Sequence, residues 1–227
     1  MTDEKLQALE KRVSELEYRL GLAEDQLAIR RLQHAYGYFM DKCKYEEVVD
    51  LFSERGETYF LGGVFRGKAG VRRLYCGRLG ARFAAGKNGP VRGLLLDHLL
   101  MQDVITVSPD GLSAKARYRC FMQGGSHESV PEIFPAFWEA GVYENTYLKE
   151  VGVWKIGVLN YNVFFYAPYE QGWGKVKPGY AVPAFSETYP EDPNGPDELI
   201  ARRASFWPEN ELVPYHYLHP VTGKPIQ

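Results

Sequence analysis

Five histidines, three cysteines and 29 acidic side chains are the groups here that could do chemistry. Most of them form no pattern that a known chemistry requires. Cys43, Cys76 and Cys120 are odd in number and include no Cys-x-x-Cys, so neither a disulfide framework nor a zinc knuckle is suggested. There is no Gly-x-Ser-x-Gly elbow and no His-Glu-x-x-His pair. The glycine-rich stretch at 63–70 lacks the spacing of a phosphate-binding loop. His216 and His219 stand three apart in a proline-bounded segment, a weak metal signal. No metal and no organic cofactor is expected, which leaves acid–base chemistry.

His98 is the unusual position. It sits inside Leu94, Leu95, Leu96, Asp97, His98, Leu99, Leu100, a strongly apolar strand candidate. By period two, Leu94, Leu96, His98, Leu100 and Gln102 share one face. A lone imidazole on such a face is either a satisfied core residue or a general base. Asp41 supplies a possible partner at the end of the aromatic stretch Tyr36, Gly37, Tyr38, Phe39, Met40. It either caps an exposed helix end or turns inward and orients His98. A carboxylate on one imidazole nitrogen fixes the tautomer and makes the other nitrogen the better base.

The elements that must position these groups follow from periodicity. Leu6, Leu9, Val13, Leu16 and Leu20 alternate by three and four residues, which predicts a helix over 1–24 with a narrow apolar seam. That seam suits packing on its own domain and, equally, contact with another subunit. Ile29, Leu32, Tyr36 and Phe39 continue at helical spacing to Asp41, and Tyr45–Phe52 reads as a short helix. Glu57–Phe65 reads as a strand with a bulge or bend at Gly62 and Gly63, and 68–85 returns to helix. From residue 92 the period becomes two. Strands are expected at Arg92–Val107, Ser113–Gln123, Ala140–Lys149 and Val153–Phe165, paired as hairpins. The order is α+β: a curved antiparallel sheet with helices on one face. Residues 167–227 hold ten of the fourteen prolines, yet keep aromatics such as Trp173, Tyr180, Phe185, Phe206, Tyr215 and Tyr217. Such a segment reads as an extended arm packed on its own domain or a neighbouring subunit.

Pocket candidates come from alternation. Tyr118, Cys120 and Met122 share one strand face, Tyr143, Asn145 and Tyr147 the next, and Trp154, Ile156, Val158, Asn160 and Asn162 the last. Tyr59 on the first strand and Tyr36 on the helix join them. Polar residues that interrupt an apolar face are binding candidates when they converge. For each tyrosine alone, packing in the core or an interface is the better account. Aromatics make up 14% of the chain, 16 of them tyrosine, which suits a surface that stacks on and hydrogen-bonds to rings.

The run Ala28 to Leu32, Tyr36, Asp41, Leu51-Phe52 and Phe65 to Lys68, then Asp97-His98, Tyr147 to Lys149 and Gly152 to Ile156, resembles the SnoaL-like branch of the NTF2-like superfamily over residues 25–166. The resemblance implies a cone-shaped α+β barrel, with a bent sheet around helices and a deep apolar pocket. Scytalone dehydratase and hexachlorocyclohexane dehydrochlorinase share that fold and work without cofactors. Asp41 and His98 fall where both keep a catalytic aspartate and histidine. Near Tyr143 and Gly141 the dehydratase has asparagine and serine, which argues against its own substrate here. The N-terminal helix and the tail from Tyr166 to Trp173 are similar to longer members from aromatic-degrading bacteria. These include γ-formaldehyde lyases of lignin-derived diaryl compounds.

The resemblance implies a cofactor-independent lyase on an aromatic substrate, with His98 as base, Asp41 behind it, and Tyr59 or Tyr143 as proton donor. Tyr36, Tyr118, Cys120, Met122, Asn145, Trp154, Asn160 and Asn162 would line the substrate site. A dehydratase, isomerase or cyclase, and a non-catalytic binding or scaffold protein, remain as alternatives. A net charge of −2 gives no broad electrostatic case for nucleic acid or an anionic membrane. No run approaches the roughly 18 apolar residues of a membrane span, and no secretory signal is visible. A cytoplasmic homo-oligomer, trimer or dimer, is expected.

Overall fold

The computed structural model describes residues 3–60, 62–177, 180, 189–200 and 207–226. The two helical patterns at the N-terminus are one helix, α1 (Asp3–Asp41). No proline or capping signal interrupts it, and strong helix formers fill its length. It buries Ile29, Gln33, Tyr36, Gly37 and Met40 against the sheet. Its first five turns lie clear of the domain, with the seam from Leu6 to Leu20 exposed. Packing of that seam on its own domain does not occur among the described residues.

After α1 come α2 (Tyr45–Asp50), β1 (Phe52–Phe60) and β2 (Gly63–Arg66). The sequence reads β1 and β2 as one bent strand. They are instead an antiparallel hairpin, with Gly62 at φ +91° between them. Then follow α3 (Gly67–Arg72), a wide π-helical turn (Arg73–Leu79) and α4 (Gly80–Ala84). Four long strands complete the core: β3 (Leu94–Val107), β4 (Ser113–Ser126), β5 (Phe137–Glu150) and β6 (Val153–Pro168). A short β7 (Glu198–Leu199) pairs with β2.

The sheet has seven strands in the order β3-β4-β5-β6-β1-β2-β7. Its curvature and the helices inside it give the expected α+β, NTF2-like architecture. One pairing departs from the antiparallel expectation: β1 runs parallel to β6. The sheet also stays open, because β3 and β7 are both edges.

Several described segments of the C-terminal arm lie on its own domain. Asp197 accepts from the Arg66 backbone N–H (2.7 Å) and pairs with Arg73 (2.6 Å), which seats β7 at the sheet edge. Further on, the Arg117 guanidinium donates to the carbonyls of Val213 (2.9 Å) and Pro214 (2.8 Å) and lies over the Tyr215 ring. His216 meets Glu144 at 2.9 Å. Tyr180 stacks on Tyr166. Phe185 and Phe206 lie outside the described residues.

A buried polar network ties α1 to the sheet. Tyr147 Oη and Asn145 Nδ2 both donate to Gln33 Oε1 (2.6 and 3.1 Å), and Asn145 Oδ1 accepts from the Asn160 N–H (2.9 Å). Fully buried polar groups must be paired, and each lost partner costs about 1–3 kcal/mol. Tyr147→Phe should therefore lower stability by about 1–2 kcal/mol, read as a shift of the urea midpoint with unchanged slope.

Candidate active site

The inner end of α1 and the strands facing it enclose an apolar cavity. Its empty space, open mouth included, is about 1010 Å³. Its wall carries six tyrosines (Tyr36, Tyr59, Tyr75, Tyr143, Tyr161, Tyr166), one histidine, His98, and one carboxylate, Glu139. Among the described residues no lysine or arginine lines it.

His98 projects from β3 and Asp41 ends α1. A single carboxylate oxygen joins them: Asp41 Oδ1 accepts from the His98 backbone N–H at 2.9 Å and meets its ring Nδ1 at 2.6 Å. Both side chains are nearly buried, at 6% and 10% exposure. With Nδ1–H donating to the carboxylate, the Nε2 lone pair is the ring's acceptor. Asp41 stands at the helix C-terminus, where the macrodipole disfavours negative charge. The two hydrogen bonds from residue 98 offset that placement. Gly37 lets the helix come close, since a Cβ there would lie 3.4 Å from the His98 carbonyl oxygen and 3.0 Å from Leu100 Cδ1.

The tyrosines form a connected wall. Tyr36 Oη and Tyr75 Oη lie 3.1 Å apart, and the Tyr143 ring stacks on Tyr161 with centroids 4.5 Å apart. Tyr75 comes from the π-helical turn, a device that often re-aims a side chain at a functional site. Burial holds Tyr36, Tyr143 and Tyr161 well above the usual phenol range and pushes Tyr75 up to about 12. All four stay protonated at neutral pH, so each hydroxyl keeps a proton to donate. Tyr59 is half-buried, and its hydroxyl donates to Glu57 at 3.4 Å.

Glu139 on β5 escapes the sequence reading. It is 7% exposed, and burial pushes its carboxyl up to about 7 from the usual 4.5. The Tyr161 hydroxyl beside it pulls the other way without offsetting the burial. A carboxyl at that value is in part protonated at neutral pH and can give a proton. The missed signal is simple. Glu139 shares the period-two face of Gly141, Tyr143 and Asn145, but the strand begins at Phe137, three residues earlier than expected.

Of the residues expected at the site, His98, Tyr59, Tyr143, Tyr36 and Met122 line the cavity. Asp41 stands behind His98 and, like the remaining six, is not part of the lining. Tyr118 is buried under α1 beside His34, and Asn145 belongs to the Gln33 network. Cys120 is fully buried, outside the lining. Trp154 donates to Asp25 at 2.7 Å, beside the Lys149–Asp25 ion pair. Alternation identifies a face of the sheet, but the cavity occupies only one end of it.

Asn160 and Asn162 fail for a second reason. Ile156 pairs with Tyr147 and Val158 with Thr146, which leaves Gly157 as an extra residue. One inserted residue reverses the parity of the residues that follow, until a second irregularity opposite Ala140 and Gly141 restores it. Leu159, Tyr161 and Val163 therefore face the cavity. A similar irregularity between Met101 and Val104, with Gln102 at φ +52°, turns Gln102 away from the His98 face.

Most of this inward-facing wall lies in the stretch 22–160, which matches the family model described as a SnoaL-like domain. The chain belongs to the SnoaL-like domain family. Solved structures with the same fold include a putative scytalone dehydratase from Novosphingobium aromaticivorans DSM 12444. It is 18% identical, with 66% of this chain and 90% of that one covered and a TM-score of 0.51. The hexachlorocyclohexane dehydrochlorinase LinA-type3 from Novosphingobium barchaimii LL02 is 19% identical over 66% and 93%, with a TM-score of 0.53. A structure of LinA is 17% identical over 66% and 93%, with a TM-score of 0.54. No curated protein matches the sequence. Among the described residues of this SnoaL-like chain, no group of three or more histidine, cysteine or carboxylate side chains could hold a metal ion. No described helix is long and apolar enough to cross a membrane.

Glu139 makes stability depend on pH in a defined window. Its folded pKa lies above the unfolded one, so the neutral carboxyl's contribution is complete below about 4.5 and lost as pH rises to about 7. At about 1.4 kcal/mol per pKa unit, the loss is roughly 3 kcal/mol. Thermal melts of the parent chain and Glu139→Gln should differ increasingly from pH 4.5 to 7.5, with the variant gaining. A constant difference would show that Glu139 does not carry this cost.

Proposed function

We propose that the protein is a cofactor-independent lyase in which the Asp41–His98 pair acts as general base on a neutral diaryl substrate. The observation that carries this reading is the shared Asp41 Oδ1, which holds both the backbone and the ring of His98 while the ring faces an apolar cavity. A wall with six phenols and no described cation suits uncharged aromatic rings. The likeness to proteins named as a dehydratase and a dehydrochlorinase supports elimination chemistry of this kind.

The reaction best suited is release of formaldehyde from a lignin-derived diarylpropane diol to give a stilbene. His98 Nε2 takes the proton of the γ-hydroxyl. The γ-carbon becomes the carbonyl of formaldehyde as its bond to the β-carbon breaks. That electron pair forms the double bond between the α- and β-carbons and expels the α-oxygen. Glu139 gives the leaving oxygen its proton and water departs. The step is redox-neutral, and His98 returns its proton to Glu139 through solvent. Glu139 suits the donor role better than Tyr59, whose hydroxyl is turned to Glu57, or Tyr143, whose proton burial holds too tightly. General acid–base catalysis supplies about 10²–10⁴-fold, and positioning in a dry cavity supplies the rest.

The purified chain incubated with diaryl diols should release formaldehyde and stilbene absorbance in equal amounts. His98→Gln and Asp41→Asn should each lower kcat by about 100-fold or more while the chain stays folded. Formaldehyde release unchanged by His98→Gln would end the reading. Stilbene-free turnover, with loss of water or exchange of a carbon-bound proton, would point to a dehydratase or isomerase on the same groups.

The acid role sets a direction for pH. Activity should fall as pH rises through about 7, where Glu139 loses its proton. Glu139→Gln should lower kcat and flatten that alkaline limb. An unchanged limb in the variant would assign it to another group.

A further inference from the structure

The free part of α1 carries an aliphatic row that its own domain does not cover. Leu6, Leu9, Val13, Leu16, Leu20 and Leu27 are each between 44% and 59% exposed. At about 100° per residue, this row lies roughly half a turn from Ile29, Gln33, Tyr36 and Met40, the face that α1 buries. The seam therefore points away from the domain, and the domain does not obstruct an approaching helix. A lone helix of this length is marginal in water.

The charges beside the seam identify what covers it. With Leu6, Val13, Leu20 and Leu27 at a, and Leu9, Leu16 and Ala23 at d, the g positions are Lys5, Arg12 and Arg19. The e positions are Glu10, Glu17 and Glu24. In a parallel pair, each g residue meets the e residue five positions later on the other helix. Lys5 then meets Glu10, Arg12 meets Glu17 and Arg19 meets Glu24, in both directions. Reversing one helix sets bases against bases and acids against acids. A second copy of the same sequence, parallel and in register, satisfies all of them.

We propose that residues 3–27 form a parallel, in-register coiled coil between copies of this chain. It holds the copies at their N-termini and leaves the cavities apart. This association goes beyond the proposed reaction and does not rest on it.

Disulfide trapping in the full chain tests the arrangement. Leu9→Cys and Leu16→Cys, made singly and oxidised with glutathione disulfide, should each give covalent dimers well above the yield of the parent chain. Residue 9 meets residue 9, and 16 meets 16, only in a parallel register. Adding Arg12→Glu and Arg19→Glu to Leu9→Cys should lower the yield by about ten-fold at equal chain concentration. Adding Glu17→Arg and Glu24→Arg as well should restore it. All of these positions are exposed in the single chain, so the domain itself is undisturbed. No dimer from either cysteine, a yield indifferent to charge reversal, or a loss that the second reversal does not repair would each overturn the proposal.

Discussion

One carboxylate oxygen accepting two hydrogen bonds from the same residue is the interaction on which the site depends. Asp41 Oδ1 grips the backbone of β3 as well as the imidazole that projects from it. The ring thus cannot shift relative to the strand without breaking the contact that orients it. The same bond docks the end of α1 against the sheet, so a structural joint and a chemical pair are one object. Gly37, one turn earlier on α1, allows that approach because it presents no side chain to β3.

The cavity is a place where charge is hard to keep. Six phenols can donate but not ionise near neutrality, and no described cation stands among them. A carboxyl in that setting holds its proton, which is why Glu139 differs from the paired carboxylates elsewhere in the chain. Glu144, by contrast, meets Arg117 and His216 on the outer face of the sheet and anchors the arm. Two glutamates five residues apart on one strand thereby have opposite environments, set by which face each occupies.

Much of this was legible in the residue pattern. Periodicity located the helices and the four long strands to within a few residues. The order of motifs around Asp41 and His98 pointed to the family. What failed was local. A strand start three residues late hid Glu139, and an inserted Gly157 reversed the facing of Asn160 and Asn162. Bulges carry no strong sequence mark, yet each flips the side chains that follow it. Depth along the sheet was likewise invisible, so Tyr118, Asn145 and Trp154 read as pocket residues although they tie α1 to the strands.

The parallel contact of β1 with β6 has a kinetic meaning. It joins segments at opposite ends of the folded unit, and beside it Ser53 reaches Glu150 across 97 residues. Such long-range closure is slow, because the chain must give up a large loop's freedom before any contact repays it. Leu159, Tyr161 and Val163 come from the last of the four long strands to be synthesised. A nascent chain can zip β3, β4 and β5 early, but it holds no finished hollow until β6 slots in beside β1.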